Sequence, residues 1–292
     1  MATNAADAAT WRSPSFGEAR VLDLPAGKLP YHDVGSGPVL VFVHGLLVNA
    51  NLWRKLVERL SAAFRCVVLD LPIGSHILAR EDDADNGPVA AANLAADAIE
   101  ALGLEDVTLI GNNSGGTMSQ VIVTTRPEHI GRLVLTSCDF RDNFPPKLFA
   151  YFKPTAAVPG AFFLLAQPLR IRPMRRLPIA FGWLTKRPID RDAEDSYLLP
   201  AMTSGAVRHD TRKFIKGADV KITNSAADRL GEFGKPALIA WSTEDKAFPA
   251  AGGVSLAKAL PDSRLEWVDD AYTFSMEDNP DCLAELIRDF LQ

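Results

Sequence analysis

Along the chain, short unbroken apolar runs alternate with segments in which apolar residues recur every three or four positions. Val39 to Val43 is apolar and largely β-branched, the pattern of a buried strand, and Trp53, Leu56, Val57 and Leu60 follow at helical spacing. Cys66 to Leu69 predicts the next strand and an alanine-rich stretch from Val89 to Leu102 the next helix. Val107 to Ile110 and Leu133 to Leu135 predict two further strands, with a helix over Thr117 to Thr125 between them. Such alternation points to βαβ units and an α/β fold with a mostly parallel central sheet flanked by helices. The rhythm stops after Asp139. From Arg141 to Lys221 the chain is rich in proline, aromatics and arginine, with helical pieces and no strand pattern. It resumes with a strand at Ala237 to Trp241, a helix at Gly253 to Leu260, a strand at Leu265 to Val268 and a helix at Asp281 to Phe290. The economical reading is an α/β core of residues 21–140 and 222–292, an inserted helical lid of residues 141–221 and an N-terminal tail of residues 1–20.

Composition narrows the class. The 292 residues are 47% hydrophobic and 23% charged with a net charge of −5, and the mean hydropathy is +0.02. These values fit one large globular domain with an insertion. Acidic balance and the absence of any nucleic-acid-binding module argue against a nucleic-acid partner. Cys66, Cys138 and Cys282 are scattered without metal-ligand spacing, so we expect buried thiols in a reducing, cytoplasmic setting, with no metal and no cofactor. Residues 1–20 lack the basic start and apolar core of a secretory signal and predict a frayed tail. The most apolar run, Ala161 to Ala166, is far shorter than the roughly 20 residues of a membrane span. The basic residues between Arg170 and Arg187 are followed by Asp190, Asp192, Glu194 and Asp195, which predicts a solvated, mixed-charge surface. The oligomeric state is not encoded in any pattern of the chain.

The segment Val107-Thr108-Leu109-Ile110-Gly111-Asn112-Asn113-Ser114-Gly115-Gly116 carries the candidate chemistry. A strand running into Gly-x-X-x-Gly and then a helix forms a sharp bend that lifts its middle side chain above the sheet. Counting from Gly111 and Gly115 puts Asn113 at that tip. With Gly35-Ser36-Gly37-Pro38, Phe42-Val43-His44-Gly45 and Trp241-Ser242-Thr243-Glu244-Asp245-Lys246 in order around it, the chain resembles the α/β-hydrolase fold superfamily from about Val21 to Leu291. Within it, the resemblance is strongest to the branch of haloalkane dehalogenases and epoxide hydrolases.

That resemblance implies roles and exposes gaps. The turn at His44-Gly45 would offer backbone N–H groups, above all that of Leu46, with the N–H of Ser114 as partner, to an oxyanion or halide. His44 itself is expected to hydrogen-bond locally. Asp245 stands where the family's acid orients a catalytic histidine, with Glu244 as the alternative if the register slips. The histidine is missing: Thr273 occupies its place in Asp269-Asp270-Ala271-Tyr272-Thr273-Phe274-Ser275. An amide at the tip is no useful nucleophile and a threonine hydroxyl cannot shuttle protons near neutral pH. Ser114 is a substitute nucleophile if the elbow shifts by one, although Asn112 would then stand where crowding favours glycine or alanine. His76, in a loop after a strand, is the preferred substitute base. Slow deamidation of Asn113 would make an aspartate in the sample. Aromatic residues Phe144, Phe149, Tyr151, Phe152, Phe162, Phe163, Phe181 and Trp183 predict an apolar pocket for a hydrophobic small molecule, some of them facing it. The candidate functions are a hydrolase of esters, epoxides or carbon–halogen compounds, a lyase or cyclase using hydrogen-bond donors without a covalent step, and a ligand-binding homologue that has lost chemistry.

Overall fold

A computed structural model describes residues 5–292. Eight strands form one sheet: β1 (Arg20–Leu24), β2 (Gly27–Val34), β3 (Val39–Val43), β4 (Arg65–Leu69), β5 (Val107–Asn113), β6 (Ile130–Cys138), β7 (Ala237–Ser242) and β8 (Ser263–Val268). Their order is β1-β2-β4-β3-β5-β6-β7-β8. β1 and β2 run antiparallel, β2 is antiparallel to β4, and every pair from β4 to β8 is parallel. Strands buried on both faces need continuous apolar sequence, and β3, β4 and β5 meet that need with side chains removed from water along almost their whole length. The β1–β2 hairpin escaped the sequence pattern because β1 is an edge strand with mostly exposed side chains.

Between β6 and β7 the chain is helical, with helices Phe152–Ala157, Ala161–Ala166, Arg191–Thr203, Gly205–Gly217 and Val220–Arg229 and short 3-10 turns. The last of these packs on the helix Ser114–Thr125 that follows β5. Polar contacts fasten this segment to the sheet's carboxyl edge. Asn49 and Asn51 donate to Ser196, Ser75 donates to the Tyr197 carbonyl at 2.6 Å, and the Asp278 carboxylate accepts from the backbone N–H groups of Lys186, Arg187 and Tyr272. The basic stretch is not wholly solvated. Arg175 is buried, paired with Glu194 at 2.8 Å and Asp195 at 2.6 Å.

Residues 1–4 of the expected tail lie outside the described residues; the rest is docked rather than frayed. The helix Ala5–Thr10 packs on Arg191–Thr203. Phe16 is fully buried, Asn51 receives the Ser13 N–H, and Arg12 forms a buried ion pair with Asp70 at the end of β4. Alternating small and polar residues hid this docking, because its anchors are single side chains rather than a periodic face. Removing Arg12 would strand a buried carboxylate, so Arg12→Ala is expected to lower unfolding free energy by roughly 3–5 kcal/mol. Urea denaturation measures it; an unchanged midpoint would contradict the docking.

Candidate active site

The elbow begins with the crowding at the end of β5. Asn113 has φ +55° and ψ −131°, a conformation that side chains bearing Cβ seldom adopt. The bend closes only because its neighbours are small: a Cβ on Gly115 would lie 2.1 Å from the Val43 carbonyl oxygen, and one on Gly45 would lie 2.9 Å from Asn113 Cβ. Asn113 therefore crowns the turn and faces a cavity of about 120 Å³ beneath the inserted helices. The cavity wall is almost entirely apolar. Phe144, Phe149, Tyr151, Phe152, Phe162 and Phe181 line it, whereas Phe163 and Trp183 are part-exposed on the surface.

Two backbone donors flank the tip, and the protein's own side chains cover both. Leu46 N–H donates to Ser114 Oγ at 2.8 Å, and Ser114 N–H donates to Asn113 Oδ1 at 2.6 Å. Asn113 Nδ2 has no partner among the described residues and is left to the cavity. Asn112, one residue back, is a buried cross-link: its Nδ2 donates to Thr136 Oγ1 at 2.9 Å and to the Thr273 carbonyl at 2.9 Å, tying β5 to β6 and to the loop after β8.

Thr273 stands beside Asp245, donating its hydroxyl to Oδ1 at 2.9 Å. The same oxygen accepts from Ala247 and Phe248 N–H, both at 2.8 Å. Burial pushes the Asp245 carboxyl up to about 6, against hydrogen bonds from Phe248, Ser137, Thr273 and Ala247 that favour its charge. Neither Asp245 nor Thr273 lines the cavity; the pair lies behind the site, turned towards its own loop. Glu244 is on the surface with Lys186.

None of the five histidines, all within the described residues, lines the cavity. His44 donates from Nδ1 to the Gly45 carbonyl and accepts Leu71 N–H on Nε2, and burial pushes it down to about 4. It shapes the turn after β3. His76, expected as a replacement base, is instead engaged at both nitrogens. Gly74 N–H donates to Nδ1 at 3.3 Å, leaving Nε2 to donate to buried Asp210 at 3.1 Å. Its ring thus fastens the loop after β4 to the helix Gly205–Gly217. Ser114 lines the cavity, but no histidine is hydrogen-bonded to its hydroxyl.

One lining group was missed by the sequence reading. Asp139, immediately after β6, is fully buried in the cavity wall. Its signal was a lone acid terminating an apolar strand at the sheet's carboxyl edge, where α/β folds bind ligands. Among the described residues no group of three or more His, Cys, Asp or Glu side chains is placed to hold a metal ion, and no helix is long and apolar enough to cross a membrane.

The comparisons agree with this architecture. Residues 38–280 match the family model for the alpha/beta hydrolase fold. The chain belongs to that family. Its relatives include a 2-hydroxy-6-oxononadienedioate/2-hydroxy-6-oxononatrienedioate hydrolase of Pseudomonas putida, 25% identical over 278 residues, 91% of this chain and 92% of the relative. A haloalkane dehalogenase of Mycobacterium tuberculosis is 25% identical over 275 residues, 92% and 93% of the two chains. The crystal structure of an α/β-hydrolase fold protein from Burkholderia ambifaria superposes with a TM-score of 0.79 at 19% identity, covering 92% of this chain and 97% of that one. The α/β-hydrolase chain is thus of the hydrolase type, in the neighbourhood of the haloalkane dehalogenases.

Folding raises Asp245 from 3.8 to about 6, so between those values the folded chain keeps a proton that the unfolded chain releases. Its contribution to stability is fully present below about pH 4 and is lost as pH rises to about 6, a decline of up to about 3 kcal/mol. Urea unfolding of the native protein and Asp245→Asn across pH 4–7 should show the native curve falling relative to the variant. Parallel curves would contradict the burial of this carboxyl.

Proposed function

We propose that this α/β-hydrolase-type chain is an enzyme that takes an apolar small molecule beneath a helical lid and promotes its reaction through hydrogen-bond donors, with no covalent enzyme intermediate. The observation that carries the reading is the makeup of the polar floor: Asn113 at the elbow tip with a free Nδ2, and no histidine in the cavity wall. An ester or aspartyl route needs a nucleophile and then an imidazole to activate it or the attacking water. An amide supplies neither, but it can donate to oxygen on which charge develops. A ligand oxygen arriving at the elbow would compete with Asn113 Oδ1 for Ser114 N–H and with Ser114 Oγ for Leu46 N–H. Exchange of those two internal bonds for bonds to the reacting oxygen costs little, since each donor keeps an acceptor throughout. His76 and Asp210 serve this reading by holding the lid helix Gly205–Gly217 over the loop after β4.

A second reading has its own support. Because both backbone donors are already satisfied internally, the chain could have kept the pocket as a binding site and lost catalysis. Turnover separates the two.

Incubation with ester, epoxide and bromoalkane panels, followed by substrate consumption and intact mass, tests the proposal. The native protein should gain no mass. Asn113→Asp should gain the alkyl group of a bromoalkane, its carboxylate oxygen forming the bond to carbon as bromide leaves, and should then stall because Thr273 activates no water. Adding Thr273→His should restore loss of the adduct. Native hydrolysis abolished by Ser114→Ala would overturn the reading in favour of a serine nucleophile. Thermal stabilisation by apolar compounds with no turnover of any would favour the binding protein.

A further inference from the structure

Among the described residues Asp139 is the one acidic side chain in the cavity wall, and the protein gives it almost nothing to bind. Neither carboxyl oxygen has a hydrogen-bond partner among the described residues, and the Thr117 hydroxyl, which approaches it, is unpartnered as well. Among the described residues no lysine, arginine or histidine lines the cavity. A buried carboxylate left this way is costly, and the economical state is the protonated acid. Burial accordingly pushes this carboxyl well above the usual carboxylate range, with only the Thr117 hydroxyl and its own backbone N–H favouring the charge. Asp245 differs: burial acts on it too, but three hydrogen bonds fix its Oδ1 outside the cavity.

Position gives the acid a purpose. In the β5–β6 ladder Asn113 is the register partner of Cys138, so Asp139 is one residue beyond the elbow tip's neighbour on the adjacent strand. Adjacent strands lie about 4.8 Å apart, and the amide and the acid both line the one cavity. The Asn113 Nδ2 is a free donor. Of the other polar side chains of the wall, Tyr151 donates to the Ile179 carbonyl and Tyr197 to Glu277, while Ser114 Oγ accepts Leu46 N–H and keeps its own proton uncommitted among the described residues.

We infer that the Asp139 carboxyl is a ligand-binding donor, keeping its proton and offering it to a neutral acceptor oxygen, a ketone or ester carbonyl, on an apolar ligand lying beside the Asn113 amide. This rests on the small-molecule reading of the cavity and sharpens it to uncharged, carbonyl-bearing ligands. A cationic ligand is the chemical competitor, since aromatic rings and a carboxylate attract ammonium groups. The neighbouring donors decide against it, because Asn113 Nδ2 would present its positive end to the cation.

Three phenyl probes of one shape test the inference: acetophenone, its hydrocarbon counterpart α-methylstyrene, and 1-phenylethylammonium. Dissociation constants at neutral pH, from titrations followed by protein NMR, are compared for the native protein, Asp139→Asn and Asp139→Leu. Acetophenone should bind the native protein tightest. Its preference over α-methylstyrene should survive in Asp139→Asn, whose amide still donates, and shrink about tenfold in Asp139→Leu. If the leucine variant does not fold, the native order and the asparagine variant decide the matter. An undiminished preference in Asp139→Leu overturns the role of Asp139 and leaves the proposed function standing. Tightest binding of the ammonium, abolished by Asp139→Asn, overturns it in favour of a charged carboxylate. Failure of all three probes to bind overturns it together with the small-molecule reading.

Discussion

The site depends on a single backbone constraint, the left-handed turn of Asn113 at φ +55°. Everything chemical about the cavity floor follows from how that turn is held. Gly115 lets the helix Ser114–Thr125 start against the Val43 carbonyl, and Gly45 lets the loop after β3 lie against the Asn113 side chain. The strain of such a conformation is of order 1–3 kcal/mol and persists only where surrounding packing over-determines it. Here the packing is the interior of the sheet: β5 is buried at every residue, and Asn112 pins its end to the neighbouring strand and to the loop after β8. The bend thus holds the amide of Asn113 rigidly at the end of β5.

In the proposed reading, the rigid scaffold presents a set of donors rather than a relay. A proton relay joins nucleophile, base and acid in line; in this chain an amide, Asn113, stands at the bend and a hydroxyl, Thr273, stands beside Asp245. Thr273 donates its hydroxyl to Asp245, neither of them lines the cavity, and two of the three buried histidines are committed to structural bonds: His44 to Gly45 and Leu71, His76 to Gly74 and Asp210. The two buried carboxyls have moved apart in environment. Burial raises both, but Asp245 Oδ1 accepts three hydrogen bonds, whereas neither oxygen of Asp139, in the cavity wall, has a partner among the described residues. Environments that push titratable groups apart are how one fold hosts different chemistry.

Much of this was legible in the sequence, for a physical reason. Strands buried on both faces must be continuously apolar, so β3, β4, β5 and β7 stand out, and the spacing of Gly111 and Gly115 locates the tip because only small residues survive the contacts there. Less legible was anything decided by tertiary partners. The β1 edge has no apolar face to reveal it, Phe16 and Arg12 anchor the N-terminal segment one side chain at a time, and His76 could be given to the helix Gly205–Gly217 only once Asp210 was placed beside it. Asp139 was overlooked because an acid after a strand is ordinary on a surface; its burial is a property of the helices that close over it.

The most direct measurement of the central claim is a crystal structure of the native protein with an apolar trifluoromethyl ketone, a compound whose carbonyl is captured covalently by an activated hydroxyl nucleophile. The account predicts that the compound lies uncaptured in the cavity, its oxygen within hydrogen-bonding distance of Asn113 Nδ2 and Ser114 Oγ unbonded to carbon. A hemiketal joined to Ser114, with an imidazole drawn in beside it, would contradict it.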